Sequence, residues 1–342
     1  MKKVDCILVG QGLAGSIMAY KLLEIGKSFV IYSDTDGRDA SMIAGGIVNP
    51  IAGRAMMPSW HIEQILPNII PFYTSLNSAL GTKIFWNTRL HKVIDNIEQL
   101  NDWQSLDNPY YGDITTPTAN IRAEYGLGQI IDSFRIDTSQ LISSCKKLFS
   151  AKEMLKEEIF VYERIKIFDN DITYEDIQAQ YIIFAEGYKG RNNPLFSFIP
   201  WTFAKGEIIT VHCPDLNIDY ALNKNVLIIP IGNDRYKIGA TFDRHHLDTE
   251  TSTAGLSELK EKLDAVLKCS YTIIEHEAGI RPASKDRKPF IGRHPRHDNV
   301  IIFNGLGSKG VSQAPFYADR LIANIWEGKT IDVKVDVNRY YR

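Results

Sequence analysis

The stretch Cys6-Ile-Leu-Val-Gly-Gln-Gly-Leu-Ala-Gly15 constrains this chain more than any other. An apolar run from Val4 to Val9 stops at Gly10. Gly12 and Gly15 follow, and a helical pattern carrying Ile17, Met18, Leu22 and Leu23 begins. Strand, glycine turn and helix start in that order form a dinucleotide-binding unit. Each glycine meets a physical demand. Gly10 allows the tight turn, Gly12 removes a side chain where a pyrophosphate approaches the backbone, and Gly15 lets the helix pack on the strand. The free N–H groups at the helix start, on Leu13 and Ala14, then face the anionic phosphates.

Gly26 is predicted to end that helix, and Ser28 to Tyr32 reads as the second parallel strand. An acidic side chain at this strand's end usually holds the ribose hydroxyls. Here the position falls on Ser33, with Asp34 one residue later. Either Asp34 takes the role through a shifted loop, or Ser33 does so with a weaker hydrogen bond. No arginine at the strand end supports binding of a 2′-phosphate.

Further along, Asp39 to Pro50 is small and apolar with paired glycines, which lets a flat ring lie against the backbone. Helical periodicity is expected over 62–80, 138–149, 258–267 and 316–326, and the stretch 84–134 reads as irregular with strand-like pieces. Residues 158–168 and 172–177 read as a hairpin, leading into a buried strand at 181–184 and then Ala185-Glu-Gly187. Segments 201–212 and 226–242 read as antiparallel strands, 271–277 as another strand, and 300–303 as a buried strand running into Asn304-Gly-Leu-Gly-Ser-Lys-Gly310. Nucleotide-type elements thus recur at the start, middle and end of the chain. The fold class expected is α/β: a Rossmann-like domain built from discontinuous segments, 1–80, 135–200 and 278–342. An inserted α+β domain with a mainly antiparallel sheet takes 81–134 and 201–277. The 342 residues and 44% hydrophobic content suit two such domains.

A net charge of −2 gives no global argument for nucleic-acid or membrane binding. No apolar run approaches the roughly 20 residues of a spanning helix, and the N-terminal run is too short for a signal peptide. Cys6, Cys145, Cys213 and Cys269 are far apart and form no CxxC pair, which argues for a reducing, cytoplasmic compartment and against a zinc site. His61 reads as a core or interface histidine. The pair His245-His246 reads as a solvated turn, so no metal is expected.

Five stretches together resemble the FAD-dependent D-amino acid oxidase superfamily, particularly its glycine oxidase and sarcosine oxidase branch. They are Val9–Gly15; Ala40–Pro50; Phe184–Gly187; Pro230 with Ile238-Gly-Ala-Thr241; and Gly279–Gly292, continued by Asn304–Gly310. The last run is also similar to the FAD domain of the bifunctional bacterial enzyme that modifies the wobble uridine of tRNA. The resemblance implies a flavin whose pyrophosphate lies on Gly10 to Gly15 and whose adenine meets the backbone of Ile165. Ala185 and Gly187 belong to the same cofactor set. Ser41, Ala44, Gly45, Gly46 and Ile47, with Gly305, Leu306, Gly307, Ser308 and Gly310, would surround the isoalloxazine. A helix start after Gly305 suits that ring, because reduction places negative charge on its N1/O2 edge. Lys309 would add a full charge there or point at substrate.

At the position of Arg281 the family's arginine binds a substrate carboxylate, which a guanidinium fork matches at two points. Arg54 is a second carboxylate candidate. The chain departs from the family in three places. Leu227 stands where some relatives have a tyrosine, so Tyr220 or another residue would replace it, or the substrate differs. Gly279 and Ile43 stand where relatives attach flavin through Cys or His, which implies dissociable FAD.

The reaction implied is oxidation of the C–N bond of a small amine or amino acid, by hydride transfer to flavin N5 and hydrolysis of the imine. Two alternatives remain open: FAD-dependent oxidation of an aminomethyl group on a modified tRNA base, and an NAD-binding dehydrogenase or non-redox nucleotide-binding protein. The basic residues Arg281, Lys285, Arg287, Lys288, Arg293 and Arg296 read as loop charge around an anion site, or as a nucleic-acid contact.

Overall fold

The computed structural model describes residues 1–34, 40–52 and 56–341. Two eight-stranded sheets organise these residues. In the first, parallel strands run in the spatial order Leu155–Lys156, Phe29–Tyr32, Lys2–Val9, Ile177–Phe184 and His297–Asn304. The long Ile177–Phe184 strand is shared. Its first half pairs with the antiparallel strand Ile172–Tyr174 and its last three residues with Val300–Ile302. This sheet is buried on both faces, which is why its strands are near-continuous apolar runs. Cys6, Leu8, Ile31, Ile183 and Ile301 face the helices Leu13–Glu24, Ile62–Leu80, Thr138–Ala151 and Gly310–Glu327. Their neighbours Ile7, Val9, Val30, Ile182 and Ile302 face an aromatic layer that includes Phe160, Tyr174, Phe196 and Phe290.

One helix contact shows how packing completes a sequence defect. Pro315 lies inside Gly310–Glu327 and brings no N–H, so the carbonyl of Val311 has no donor from its own helix. The hydroxyl of Tyr73, buried in the neighbouring helix, donates to that carbonyl at 2.7 Å.

The second sheet has the order Thr272–Ser284, Trp201–His212, Arg235–Gly239, Val226–Gly232, Ala221–Lys224, Leu90–Val93, Leu127–Ile130, Tyr111–Thr115. All pairs are antiparallel except Ala221–Lys224 with Leu90–Val93. Strand alternation splits its residues cleanly. Ile209, Val211, Ile228, Tyr236 and Ile238 pack under the helix Thr253–Asp264 through Leu259 and Leu263. Gly206, Ile208, Leu227, Ile229, Lys237 and Gly239 point the other way, into a cavity shared with the first sheet.

Several expected elements shift. The stretch 84–134, read as irregular with strand-like pieces, holds four strands, the start of a fifth (Phe134–Ile136) and a helix, Ile97–Ser105, capped by the Asn96 side chain on Gln99 N–H. The helix expected over 258–267 runs from Thr253 to Asp264, because Ser252 caps it earlier by accepting from Gly255 N–H at 2.9 Å. The last helix begins at Gly310 rather than 316. The strand expected at 271–277 extends to Ser284 and carries Arg281 within it.

Candidate active site

The C-terminal ends of the parallel strands open onto a cavity of about 760 Å³, within the size range of cofactor and ligand sites. Gly10 turns the chain at φ +98°, and a Cβ on it would lie 2.5 Å from the carbonyl oxygen of Ala185. A Cβ on Gly15 would collide with Gly10, at 2.9 Å from its carbonyl carbon. Only glycines fit at both positions. Gly12 stands at the N-cap of Leu13–Glu24 with no side-chain cap, so the first N–H groups of a 12-residue helix meet the cavity without a protein acceptor to satisfy them fully. The Ser41 hydroxyl is a distant partner for Leu13 N–H, at 3.4 Å. This is a cradle for an anionic group.

Beside the turn, Ser33 and Asp34 both line the cavity, and the Asp34 carboxylate accepts from Lys189 Nζ at 2.7 Å. Lys189 belongs to the 3-10 turn Gly187–Asn192, which follows the shared strand. Ser41, Ala44, Gly45, Gly46 and Ile47 form another wall, and Leu306, Gly307, Ser308 and Gly310 line the cavity where Leu306 bridges Ala283 of the second sheet.

Arg281 lines the far end. Its room is made by Gly206 on the paired strand, where a Cβ would lie 2.5 Å from the guanidinium carbon. Nη2 donates to the carbonyl of Thr241 at 3.2 Å. Thr241 is itself fixed to the Trp201–His212 strand: its hydroxyl accepts from Glu207 N–H at 2.8 Å, and its own N–H donates to the Glu207 carbonyl at 3.1 Å. Nη1 is buried without any hydrogen-bond partner. Burial lowers the pKa of Arg281 from the ordinary arginine value, and the group remains a cation. A buried guanidinium that lines a cavity and carries an unsatisfied donor calls for an anion.

Most expected site residues therefore meet in one cavity: Gly10, Gly12, Leu13, Ala14, Ser33, Asp34, Ser41, Ala44 to Ile47, Ala185, Gly187, Arg281, Leu306, Gly307, Ser308 and Gly310. Four expected residues lie outside its lining. Gly15 packs behind the turn. Gly305, at φ +74°, turns the chain against Phe290. The hairpin stretch presents Ile159, Phe160 and Tyr162 to the cavity, whereas Ile165 pairs with Tyr174 beyond it. Lys309 donates to the Ser59 hydroxyl at 2.7 Å, and burial with nearby Arg287 lowers its pKa. Arg54 falls outside the described residues. Tyr220 packs on His91 and Arg89, away from the cavity that Leu227 does line.

The basic residues separate in space. Arg281 is inside, while Arg293 is spent on the carbonyls of Asp298, Asn324 and Ile325. His61 stacks on Trp60 and approaches Tyr317 at 3.3 Å, and both His245 and His246 turn onto the Asp243 carboxylate. Lys237 and Glu186 are among the cavity residues that escaped the sequence reading. Lys237, whose Nζ donates to the Ile43 carbonyl at 3.1 Å, alternates with Gly239 on an otherwise apolar face. Glu186 sits between Ala185 and Gly187; an acid directly after a buried strand was the available signal.

The profile of the DAO family, described as FAD dependent oxidoreductase, matches residues 154–324. The chain belongs to this family. Glycine oxidase of Bacillus subtilis is 23% identical, over 91% of this chain and 90% of that protein. The tRNA 5-methylaminomethyl-2-thiouridine biosynthesis bifunctional protein MnmC of Vibrio vulnificus is 23% identical, over 93% of this chain but 55% of that protein. The fold matches the crystal structure of glycine oxidase from Geobacillus kaustophilus with a TM-score of 0.84, at 20% identity and 99% coverage of both chains. This DAO-family chain is an FAD-dependent oxidoreductase, and the glycine cradle, the apolar walls and the two-sheet cavity fit the cofactor. Among its described residues no helix is long and apolar enough to cross a membrane.

Proposed function

We propose that the protein oxidises the C–N bond of a small amine or amino acid bearing a carboxylate, of the D-amino acid, glycine or sarcosine kind. The observation that carries this reading is the Arg281 guanidinium: buried in the cavity, held on one side by Thr241, and left with an unsatisfied donor. FAD, when bound, supplies a two-electron acceptor for the hydrogen leaving carbon. Arg281 holds the substrate carboxylate and so fixes which C–H is presented. Ile208, Leu227 and Ile229 line the same cavity and exclude water, which strengthens that ionic contact. The substrate group on Leu227 has no hydroxyl to meet there, which favours a compact or apolar side chain over a polar one.

In the proposed division of labour, residues 1–80, 135–200 and 278–342 hold the cofactor, non-covalently, and 81–134 with 201–277 cover it. Support for dissociable FAD comes from Gly279 and Ile43, neither of which has a nucleophile to attach flavin. A cytoplasmic location is supported by four free cysteines.

The test is anaerobic addition of glycine, sarcosine and D-amino acids to the flavin-loaded protein, followed by absorbance. Bleaching by at least one of them, with Arg281→Ala raising KM or lowering kcat at least tenfold while FAD stays bound, is expected. Normal turnover by Arg281→Ala would sink the assignment.

A second reading, oxidation of an aminomethyl group on a modified tRNA base, is supported by the likeness to MnmC and by exposed Lys285 and Arg287 beside Lys288, whose Nζ lies 5.0 Å over the Trp60 ring. Retention of tRNA on filters at low salt, lost in a Lys285→Ala/Arg287→Ala/Lys288→Ala variant, would favour it. No retention removes it.

A further inference from the structure

Glu186 lines the FAD cavity, and the substrate-holding role proposed for Arg281 does not use it. The residue as a whole is half-buried, with its carboxyl turned into the protein. The Tyr162 hydroxyl donates to Oε1, and Asn193 Nδ2 donates to Oε2 at 2.9 Å. Both partners are neutral. Among the described residues no lysine or arginine lies within ion-pair distance of this carboxyl.

Its position matters because of what lies against it. A Cβ on Gly10 would lie 3.1 Å from the Glu186 Cα, so this acid abuts the glycine turn that cradles the pyrophosphate. The Glu186 backbone thus borders the corner expected to take the doubly charged pyrophosphate, and its carboxyl feels those phosphates across a low-dielectric cavity wall. The cations lining the cavity are otherwise engaged or distant. Lys189 is on Asp34, the exposed Arg191 lies 5.9 Å over the Tyr188 ring, Lys237 is on the Ile43 carbonyl, and Arg281 is at the far end.

We propose that the Glu186 carboxyl takes up a proton when FAD binds, so that affinity for FAD falls as the pH rises.

The groups facing Glu186 leave it as the titrating partner. From the turn Tyr162–Arg164 comes Tyr162, which burial and Glu186 push far above the phenol range and keep neutral. Its neighbour Glu163 acts on Tyr162, and Arg164 is turned away onto Glu175 at 2.9 Å. The 3-10 turn Gly187–Asn192 brings Lys189, on Asp34, and Arg191. The strands behind bring Asn304 and Trp201, which with Glu186 Oε2 surround Gly190 and do not titrate. The glycine turn brings only backbone. Desolvation, set against the hydrogen bonds from Tyr162 and Asn193, pushes the Glu186 pKa up to about 7 before any phosphate is added. Nearby phosphates push it further in the same direction.

The sign follows from linkage. FAD favours the protonated acid, so affinity is full below the cofactor-free pKa and is lost as pH rises through and beyond it. One proton taken up changes Kd by up to about tenfold per pH unit. Oxidised FAD has no group of its own that titrates between pH 6 and 8.5.

The experiment dilutes the flavin-loaded protein at pH 5.5 to 8.5 and reads released flavin by its fluorescence, giving Kd at each pH. Kd is expected to be level up to about pH 6 and to climb by nearly tenfold per unit above about pH 7.5. Glu186→Gln, neutral at every pH, is expected to abolish the climb. Tyr162→Phe removes a donor to the carboxylate and is expected to move the climb to higher pH. A level Kd in the unmodified protein, or the same climb in Glu186→Gln, overturns the proposal while leaving FAD binding itself intact. Should Glu186→Gln fail to fold, an unshifted climb in Tyr162→Phe overturns it instead.

Discussion

Gly206→Ala isolates the substrate-holding role proposed for Arg281 without touching the charge. The added Cβ would lie 2.5 Å from Cζ and 2.8 Å from Nη1, where ordinary contact begins near 3.4 Å. The guanidinium must retreat by about an ångström, and Thr241, tied twice to the Glu207 backbone, cannot follow it. The move weakens the 3.2 Å bond from Nη2 to the Thr241 carbonyl and misaims the fork. Charge-assisted hydrogen bonds of this type contribute about 1.5–3 kcal/mol each. Loss of one well-aligned contact to a substrate carboxylate therefore lowers kcat/KM by about 10- to 150-fold. The assay is steady-state oxidation of whichever amino acid bleaches the flavin, alongside FAD affinity by fluorescence and a melting curve. The loss is expected chiefly in kcat/KM, with FAD affinity within about threefold of the parent. Activity within threefold of the parent would refute the argument that Gly206 is there to seat Arg281. An equal loss of FAD binding would show instead that the added methyl blocks the cofactor.

Two further outcomes follow from packing. Gly15→Ala forces a Cβ onto Gly10, so the turn proposed to hold the pyrophosphate must open; FAD retention on a desalting column is expected to be lost, and retained FAD would refute the packing role. Tyr73→Phe leaves the buried Val311 carbonyl without a donor, because Pro315 cannot supply one. A stability loss of about 1–3 kcal/mol is expected in urea unfolding of the FAD-free protein, and no change in midpoint would show that water or backbone movement satisfies the carbonyl.

The legible parts of this protein were the local ones. Glycine spacing after an apolar run predicted the tight turn that the structure places at the cavity, because the demand for φ +98° at Gly10 and for no Cβ at Gly15 acts within a few residues. Strand alternation likewise announced the antiparallel sheet, and the small residues of 40–50 do line the cavity with Ser41 and Ala44 to Ile47. The weakest reading was 84–134. Its short strands owe their existence to partners such as Ala221–Lys224 and Ile47–Val48, whose distance along the chain no window of sequence spans. Ile165 and Lys309 show the same limit at the site. Each lies one turn or a few residues from a cavity-lining neighbour, and only packing decides which side chain faces inward.

By itself the sequence determined the chemistry class: a dinucleotide turn, the Gly279–Gly292 run with Arg281, and a glycine-rich helix start are local codes written in backbone conformation and residue type. Tertiary structure alone decided the electrostatics. The Arg281 guanidinium has an unsatisfied donor because Gly206, Thr241 and the second sheet enclose it, and Glu186 is a perturbed acid because Tyr162, Asn193 and Gly10 converge on it from three segments. Solvation depends on what surrounds a group in space, and sequence order does not carry that.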